Sequence, residues 1–269
     1  MRRVWHRIYS DFLMRPRLTE YRALLEAALN QGYEVHSVLS FWQESRRGLD
    51  PSRRYLINRH DVDTDVNTAL QMHWIEQDLG VKASYYFRLS TLCVQAMQDI
   101  ERSGSEASYH FEEIATICKQ KGLGTRQEVE QHMPEIRALF RTNFTYVRTR
   151  TGLPMLTVAS HGDFVNRHLQ VANHELLDDG LRQELGIVVE AYDEALTSLF
   201  TERFTDTLYP RFWRTYSPLV AIERGDPVIH ILTHPRHWQS APLVNLADDL
   251  RRLREGVTYQ VRAAMRKGA

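Results

Sequence analysis

Short apolar segments typical of buried strands alternate along this chain with longer segments that carry apolar residues at helical spacing. The strand-like segments are residues 33–39, 55–61, 83–89, 104–109, 155–159, 186–191 and 228–232. The helix-like segments are residues 19–31, 66–79, 92–102, 111–121, 125–140 (with a kink at Pro134) and 247–267. This alternation predicts βαβ units and an α/β fold on a mostly parallel sheet, either a barrel or an open doubly wound sheet. Because no repeat or long linker interrupts the pattern, we expect one domain over residues 1–269.

The charge balance gives no reason to expect an anionic macromolecule as partner. The 269 residues contain 34 lysines and arginines against 34 aspartates and glutamates, so neither nucleic acid nor strong attachment to an anionic membrane is expected. No amphipathic basic helix stands out in the sequence. The two cysteines, Cys93 and Cys118, form neither a CxxC motif nor a disulfide framework. No apolar run has the length of a signal-peptide core or the roughly 20 residues of a membrane span. We therefore predict a cytoplasmic protein without stable membrane insertion.

One strand-like segment ends in a dense cluster of charge, the sequence RHDVD at residues 59–63. In an extended strand every second side chain lies on the same face. Asp61 and Asp63 would therefore lie on one face, about 7 Å apart. Two carboxylates beside His60 at the end of a strand suit a metal site or an acid/base pair. An ordinary turn, in which Asp63 or Asp65 caps the following helix, would use the same residues.

Three other strand-like segments are followed by a histidine, namely His110, His161 and His234. The carboxyl ends of parallel strands meet at one end of the sheet, where α/β proteins bind their ligands. Each histidine alone could equally be an ordinary surface side chain, but four strand ends together deliver aspartate and three histidines. Carboxylate and imidazole bind zinc and similar ions, and a remaining carboxylate and histidine can act as base and acid. The motifs GxGxxG, GxxxxGK(S/T), GxSxG and HExxH are absent.

Six motifs follow one another in the order RHDVD at 59–63, ASYYFRL at 83–89, GSEASYHFEE at 104–113, VASHGDF at 158–164, DTLYPRFW at 206–213 and ILTHPRHW at 231–238. In this order they resemble the motifs of the metal-dependent polysaccharide deacetylases, the NodB-homology carbohydrate esterases of family 4. More narrowly, the chain is similar to the divergent deacetylase-like proteins of bacterial O-antigen and capsule clusters. The resemblance implies a distorted (β/α)7 barrel with a metal ion at its top. By motif it implies Asp61 as catalytic base, His110 as metal ligand, His234 as general acid and Asp206 as the acid that supports His234.

The first motif departs from the pattern that this family implies. Val62 stands where a second, metal-binding acid is expected directly after Asp61, and Asp63 follows one position later. Asp63 is therefore our candidate for the carboxylate ligand of the metal ion.

The histidine motif and the third motif depart as well. Ile114 stands where a second metal-binding histidine is expected four residues after His110, and SHG at 160–162 takes the place of a motif with an arginine. We infer that His161 replaces the missing histidine, so that the ligands are Asp63, His110 and His161. Glu112 or Glu113 is the alternative third ligand. The ligand types favour zinc, although nickel, cobalt or iron would also fit.

The resemblance implies a hydrolase that removes an N-acetyl group from an amino sugar or sugar precursor in surface polysaccharide (O-antigen) biosynthesis. A cytoplasmic acetamido sugar would be carried on a nucleotide, or on a lipid at the inner face of the membrane. Arg59, Arg167 and Arg236 are candidates for binding the anionic carrier, unless they pair with the acids of the site. Trp213 and Trp238 are candidates for packing on the sugar, unless they belong to the core. The altered metal motif leaves two alternatives open, a sugar-binding protein without chemistry and a metal-dependent amidase for a small non-sugar amide.

Overall fold

A computed structural model describes residues 2–267 of the chain. The strands in this range are β1 Tyr33–His36, β2 Arg54–Val62, β3 Ser84–Phe87, β4 Glu106–Phe111, β5 Thr157–Ser160, β6 Val189–Glu190, β7 Glu202–Thr205 and β8 Val228–Thr233. The α-helices are α1 Arg2–Ile8, α2 Leu18–Asn30, α3 Val38–Arg47, α4 Val66–Leu79, α5 Val94–Arg102, α6 Glu113–Lys121, α7 Arg126–Gln131, α8 Met133–Thr151, α9 Phe164–Leu169, α10 Asp179–Leu185, α11 Glu194–Thr197, α12 Pro218–Arg224 and α13 Pro242–Lys267. A π-helical turn, Tyr9–Leu13, follows α1, and 3-10 turns occupy Leu89–Thr91, Asn173–Leu176 and Pro235–His237. None of these described helices combines the length and the apolar character that crossing a bilayer requires.

The strands form one sheet in which every pairing is parallel. Their order is β6-β5-β4-β3-β2-β8-β7, and β1 pairs with the first half of β2, while β3 pairs with its second half. Seven of the strands, β2 to β8, curl into a half-barrel with helices around it, and within residues 2–267 no pairing closes the gap between β6 and β7. The predicted α/β fold, a distorted (β/α)7 barrel, is confirmed.

The first strand ends at His36 and not at residue 39, because α3 begins at Val38. Two further differences from the sequence prediction have a local cause. Residues 125–140 do not form one kinked helix, because α7 and α8 separate at His132. Pro134 lies in the first turn of α8, where its missing N–H removes no helical hydrogen bond. For the aromatic-rich residues 204–216 the sequence left strand and loop open, and strand β7 ends at Thr205 within this stretch. The pattern was ambiguous because Phe204 is the one buried residue of β7 and the strand has no apolar alternation.

Strand β2 lies inside the sheet, and eight of its nine residues are buried. Its alternation sends Arg59 and Asp61 to one face and His60 to the other. His60 therefore does not join the polar site that the RHDVD motif suggested. Its Nε2 atom lies 2.7 Å from Oε1 of Glu76 on α4, and its Nδ1 atom lies 2.6 Å from Oγ1 of Thr233.

Glu76 is the centre of a buried polar network on this face. Its carboxylate accepts hydrogen bonds from the Tyr21 hydroxyl, from Asn58 Nδ2 at 2.8 Å and from the Tyr85 hydroxyl at 2.7 Å. Burial by itself raises the pKa of this carboxyl, but attraction to His60 and the hydrogen bonds outweigh it, and the pKa falls to about 2. The network ties strands β2 and β3 to helices α2 and α4.

Replacing Glu76 with alanine should lower the free energy of unfolding by about 3–5 kcal/mol at neutral pH, because several buried donors lose their acceptor. The pKa of Glu76 lies below its ordinary value of 4.5, so this stabilisation is present above pH 4.5 and is lost as the pH falls toward 2. Urea unfolding should therefore show the largest difference between wild type and Glu76→Ala near pH 7 and a smaller one toward pH 2.

Glu223 on α12 provides the matched control, since it is an exposed glutamate. Glu223→Ala should change the free energy of unfolding by less than about 0.5 kcal/mol. Equal stability of Glu76→Ala and wild type at neutral pH would show that the network does not stabilise the fold.

Candidate active site

The carboxyl ends of four strands of the sheet deliver the predicted polar residues to one cavity. Asp61 comes from β2 and His110 from β4, whereas Asp63, His161 and His234 are the residues directly after β2, β5 and β8. All five line a cavity of about 370 Å³. The backbone N–H of Asp63 donates to the Asp61 carbonyl at 3.0 Å, so the chain turns directly after β2 and both carboxylates reach the cavity.

Asp63, His110 and His161 form a compact group in which each offers one ligand atom, and these atoms lie within 4.8 Å of one another. Asp63 Oδ1 is 3.4 Å from Nε2 of His110 and 3.4 Å from Nε2 of His161. The two imidazole rings are nearly perpendicular, with their centroids 5.1 Å apart. This is the set that we expected from the sequence as metal ligands.

The hydrogen bonding around this group fits a bound cation. His110 Nδ1 lies 2.9 Å from the Ala159 carbonyl oxygen, which can only accept, so Nδ1 carries the proton and Nε2 keeps its lone pair. Asp63 Oδ1 is buried, and within residues 2–267 it has no hydrogen-bond partner. Burial raises the pKa of Asp63, but attraction to His161 and His110 more than offsets it, so the pKa lies well below its usual range. One carboxylate and two imidazoles form a donor set suited to zinc or a similar divalent ion.

The two glutamates that follow His110 have other partners. Glu112 accepts from Arg88 on both carboxylate oxygens, at 2.6 and 2.8 Å, and its Oε2 lies 3.6 Å from Nδ1 of His161. Glu113 points into the core, where it accepts from the Tyr109 hydroxyl at 2.5 Å, and burial raises its pKa to about 7. Neither glutamate belongs to the compact group. Glu112 instead lies beside His161 as a partner of Arg88.

Asp61 is held by a buried arginine two residues earlier on the same strand. Arg59 donates from Nε to Oδ1 and from Nη2 to Oδ2, both at 2.8 Å. Burial raises the pKa of Asp61, but attraction to Arg59 and to His110 outweighs it and lowers the pKa. The guanidinium group of Arg59 is fully buried and stacks over Tyr192, 4.5 Å from the ring centroid. Arg59 therefore pairs with an acid of the site and does not line the cavity, which corrects the expectation that it contacts substrate.

His234, which also lines the cavity, forms a second and different arrangement with the buried Asp206. Asp206 Oδ1 lies 2.7 Å from Nδ1 of His234, and Oδ2 accepts from the His234 backbone N–H at 2.8 Å. Burial lowers the pKa of His234, but attraction to Asp206 outweighs it and raises the pKa to about 9. Asp206 also lies 2.9 Å from Nδ1 of His237 and accepts from Trp238 Nε1 at 2.9 Å. Asp206, His234 and His237 also bring one possible ligand atom each within 4.8 Å of one another. The backbone N–H of His234 and the indole N–H of Trp238 already occupy Oδ2 of Asp206, so we interpret this carboxylate as the partner of a protonated histidine.

Three of the expected substrate contacts lie outside the cavity. Trp213 and Trp238 pack against each other with ring centroids 6.0 Å apart, and both are buried. The indole of Trp238 is held there because its N–H supports Asp206. Arg236 is buried among acids, 2.9 Å from Asp11 and 3.0 Å from Asp248. The expectation that these side chains contact substrate is therefore corrected, since each has a structural partner elsewhere.

Other side chains, from α9, from strands β5, β7 and β8 and from loops, form the rest of the cavity wall. Tyr192 and Phe200 provide aromatic surface, and Arg167, Arg203 and Arg214 provide positive charge. Within the part of the chain that the structure describes, none of these three arginines pairs with a carboxylate. Arg167 was a candidate from the sequence. Tyr192, Arg203 and Arg214 belong to no recognisable motif, and only their position in the fold identifies them.

Comparison with known proteins gives structural likeness alone. No protein-family model matches the chain, and no curated protein matches it. Among solved structures, the chain is similar to the Streptococcus pyogenes deacetylase PplD in complex with acetate, with a TM-score of 0.41 and 9% identity over 82% of this chain and 86% of that one. It is also similar to the Xyl-CE4 domain of a multidomain xylanase from the hindgut metagenome of Trinervitermes trinervoides, with a TM-score of 0.38 and 13% identity over 75% of this chain and 85% of that one. At these scores we base the function on the geometry of the site itself.

His161→Ala should lower the affinity for a divalent ion by at least about tenfold, because disturbing even groups behind the ligands typically has that effect. The measurement is zinc titration by calorimetry, together with the metal content of protein purified without added metal. His237→Ala removes a histidine from the Asp206 arrangement and should leave the affinity unchanged. Full metal occupancy in His161→Ala would exclude His161 as a ligand.

Proposed function

We propose that this chain is a metal-dependent hydrolase that removes an N-acetyl group from an amino sugar. The observation that supports this most directly is the presence of two different sets of groups in one cavity. Asp63, His110 and His161 bring lone pairs together, whereas His234 on Asp206 retains a proton. Amide hydrolysis needs an electrophilic centre, a base for the attacking water and an acid for the leaving amine.

Asp63, His110 and His161 would hold the ion, and zinc is our first choice from the ligand types. A bound divalent ion supplies Lewis-acid chemistry, since it polarises a carbonyl oxygen and lowers the pKa of water. Glu112 Oε2 lies 3.6 Å from Nδ1 of His161, which is too far for a hydrogen bond, whereas the Ala159 carbonyl oxygen lies 2.9 Å from Nδ1 of His110 and fixes that ring. The protein therefore provides both the donor atoms and a group that orients one of them.

Asp61 is the proposed base. Its Oδ2 atom lies 3.5 Å from Nε2 of His110, so the carboxylate borders the group of donor atoms. Arg59 keeps Asp61 ionised and fixes its plane, and each carboxylate oxygen has a second lone pair that can accept a proton from the attacking water.

His234 is the proposed acid. Its Nδ1 atom is occupied by Asp206, which leaves Nε2 to protonate the nitrogen of the departing amine. A pKa of about 9 keeps the ring protonated at neutral pH. In the balanced reaction, the water oxygen bonds to the acetyl carbon, the carbon–nitrogen bond breaks, and the products are acetate and the free amino sugar.

The wall of the cavity supports a negatively charged substrate. Arg167, Arg203 and Arg214 line it without carboxylate partners among the described residues, and Tyr192 and Phe200 offer aromatic surface for a sugar ring. A sugar linked through phosphate to a nucleotide or a lipid carries the complementary charge. We therefore propose an acetamido sugar on such a carrier, as used in the synthesis of a surface polysaccharide such as O-antigen.

The test offers purified, metal-loaded protein a panel of acetamido sugars linked to nucleotide, linked to lipid, or present in chitin oligomers, and measures acetate release. At least one carrier-linked sugar should release acetate. Asp61→Asn and His234→Ala should fold and keep metal but lose roughly 100- to 10,000-fold in rate. His168→Ala, an exposed histidine on α9, is the control and should retain full activity.

Three results would contradict the proposal. Acetate release from chitin oligomers alone would overturn the carrier-linked substrate. Release of product only from small non-sugar amides would identify an amidase. No release from any member of the panel, with metal present, would indicate a sugar-binding protein without chemistry.

Asp206→Asn should move the alkaline limb of the kcat/KM profile to lower pH. The acid form of His234 is required, and its pKa of about 9 depends on attraction to the Asp206 carboxylate, so activity persists until the pH rises through that value. An uncharged asparagine removes the attraction, and the limb should shift toward the ordinary histidine value of 6.5. His237→Gln leaves the Asp206 charge in place and should keep the wild-type limb. An unchanged limb in Asp206→Asn would exclude His234 as the acid.

A further inference from the structure

Helix α13 turns polar side chains toward the protein and apolar side chains toward the outside. The face packed against the protein contains Asn245, Asp248 and Tyr259, which are at most 5% exposed. The opposite face carries seven apolar side chains that are 46% to 83% exposed, and we call them the apolar stripe: Leu243, Leu246, Leu250, Leu253, Val257, Val261 and Met265. A helix on the surface of a soluble protein normally turns its apolar side to the core. An exposed row of this kind marks an interaction surface.

The apolar stripe runs straight along the helix. Its members are three or four residues apart, about 3.7 on average, which is nearer the period of a straight α-helix than the 3.5 of a coiled-coil seam. It extends for roughly 33 Å at 1.5 Å per residue. The neighbouring α1 adds exposed Trp5, at 66%, and is tied to α13 by the Arg7–Asp249 salt bridge of 2.8 Å.

The charges around the apolar stripe favour an anionic surface. The acids of α13 are all engaged within the chain, Asp248 and Asp249 with Arg236, and Glu255 with Lys119. Arg254, by contrast, lies beside Leu253 within the stripe and has no carboxylate partner among residues 2–267. Arg262 also flanks the stripe and has no carboxylate partner among residues 2–267, whereas Arg251 on the same flank pairs with Asp248.

A second copy of the chain would bring the same arginines against one another without free acids to pair them. An amphipathic helix with arginines beside an exposed apolar face is instead the type that lies in the surface of an anionic membrane. The structure thereby corrects the expectation that the chain lacks an amphipathic basic helix. The sequence shows the apolar spacing of α13, but it does not show which side of the helix faces outward.

We propose that α13, with α1 beside it, docks the protein on an anionic lipid surface, with the apolar stripe at the boundary between headgroups and acyl chains. The inward face of the same helix reaches the active site, because Arg252 and Glu255 line a cavity of about 170 Å³ together with His161 and Arg167. Docking would bring the site to within about one helix diameter, 10–12 Å, of the lipid. That position suits a lipid-linked sugar better than a nucleotide-linked one.

The experiment is flotation of the full chain with vesicles of phosphatidylcholine, with and without phosphatidylglycerol. Protein should float with the vesicles that contain phosphatidylglycerol, and added salt should weaken the binding. Leu250→Glu combined with Leu253→Glu should lower the affinity roughly tenfold or more, since two apolar side chains are lost from the buried face. Arg254→Gln should lower it about fivefold. Trp74→Glu, on α4 and 60% exposed, is the control and should bind like wild type.

Several outcomes overturn the proposal. It fails if wild type does not float with anionic vesicles, or if the double variant floats as well as wild type. It also fails if light scattering shows a dimer that the double variant dissociates, because a second copy then covers the stripe. Circular dichroism and urea unfolding establish that the double variant is folded. Acetate release from a soluble acetamido sugar needs no lipid, so failure of docking and failure of the proposed hydrolysis are separate results.

Discussion

Strand β2 is buried almost throughout, so every polar side chain that it carries must find its partner inside the protein. Its two faces meet this requirement in different ways. On one face, His60 joins the network around Glu76 and ties the sheet to its helices. On the other, Arg59 pairs with Asp61, and Asp63 follows at the turn. One network stabilises the barrel, and the other provides the charged wall of the cavity.

The cavity separates groups that need different protonation states. The N–H of His110 points away from Asp63, because it donates to the carbonyl oxygen of Ala159. The lone pair on Nε2 of His110 therefore faces Asp63. Around Asp206 the protons point toward the carboxylate, which holds the charge on His234. Asp61 interacts with both arrangements. Its carboxylate lies 3.5 Å from Nε2 of His110, and its negative charge helps to raise the pKa of His234. This separation is the basis of the proposed division between electrophile, base and acid.

The polar contacts between α13 and the protein beneath it explain why this helix turns its apolar side outward. The surface beneath this helix is polar, since Lys119 there binds both Asp163 and Glu255. A helix that covers a polar surface gains most by turning its polar side inward. Its apolar side is then left facing outward, on the side of the helix away from the site. The polar contacts beneath the helix thus leave exposed the surface that we propose for lipid binding.

The sequence by itself determined the alternation of strands and helices, and with it the residues that gather at the strand ends. Asp61, Asp63, His110, His161 and His234 could be named in advance because parallel strands bring their carboxyl ends to one edge. The tertiary structure alone decided which neighbours these residues have. It placed Arg203, Arg214 and Tyr192 in the cavity, buried Trp213 and Arg236 elsewhere, and turned the apolar side of α13 outward. Periodicity shows which residues share a face of an element, whereas the direction of that face depends on long-range packing that local sequence does not encode.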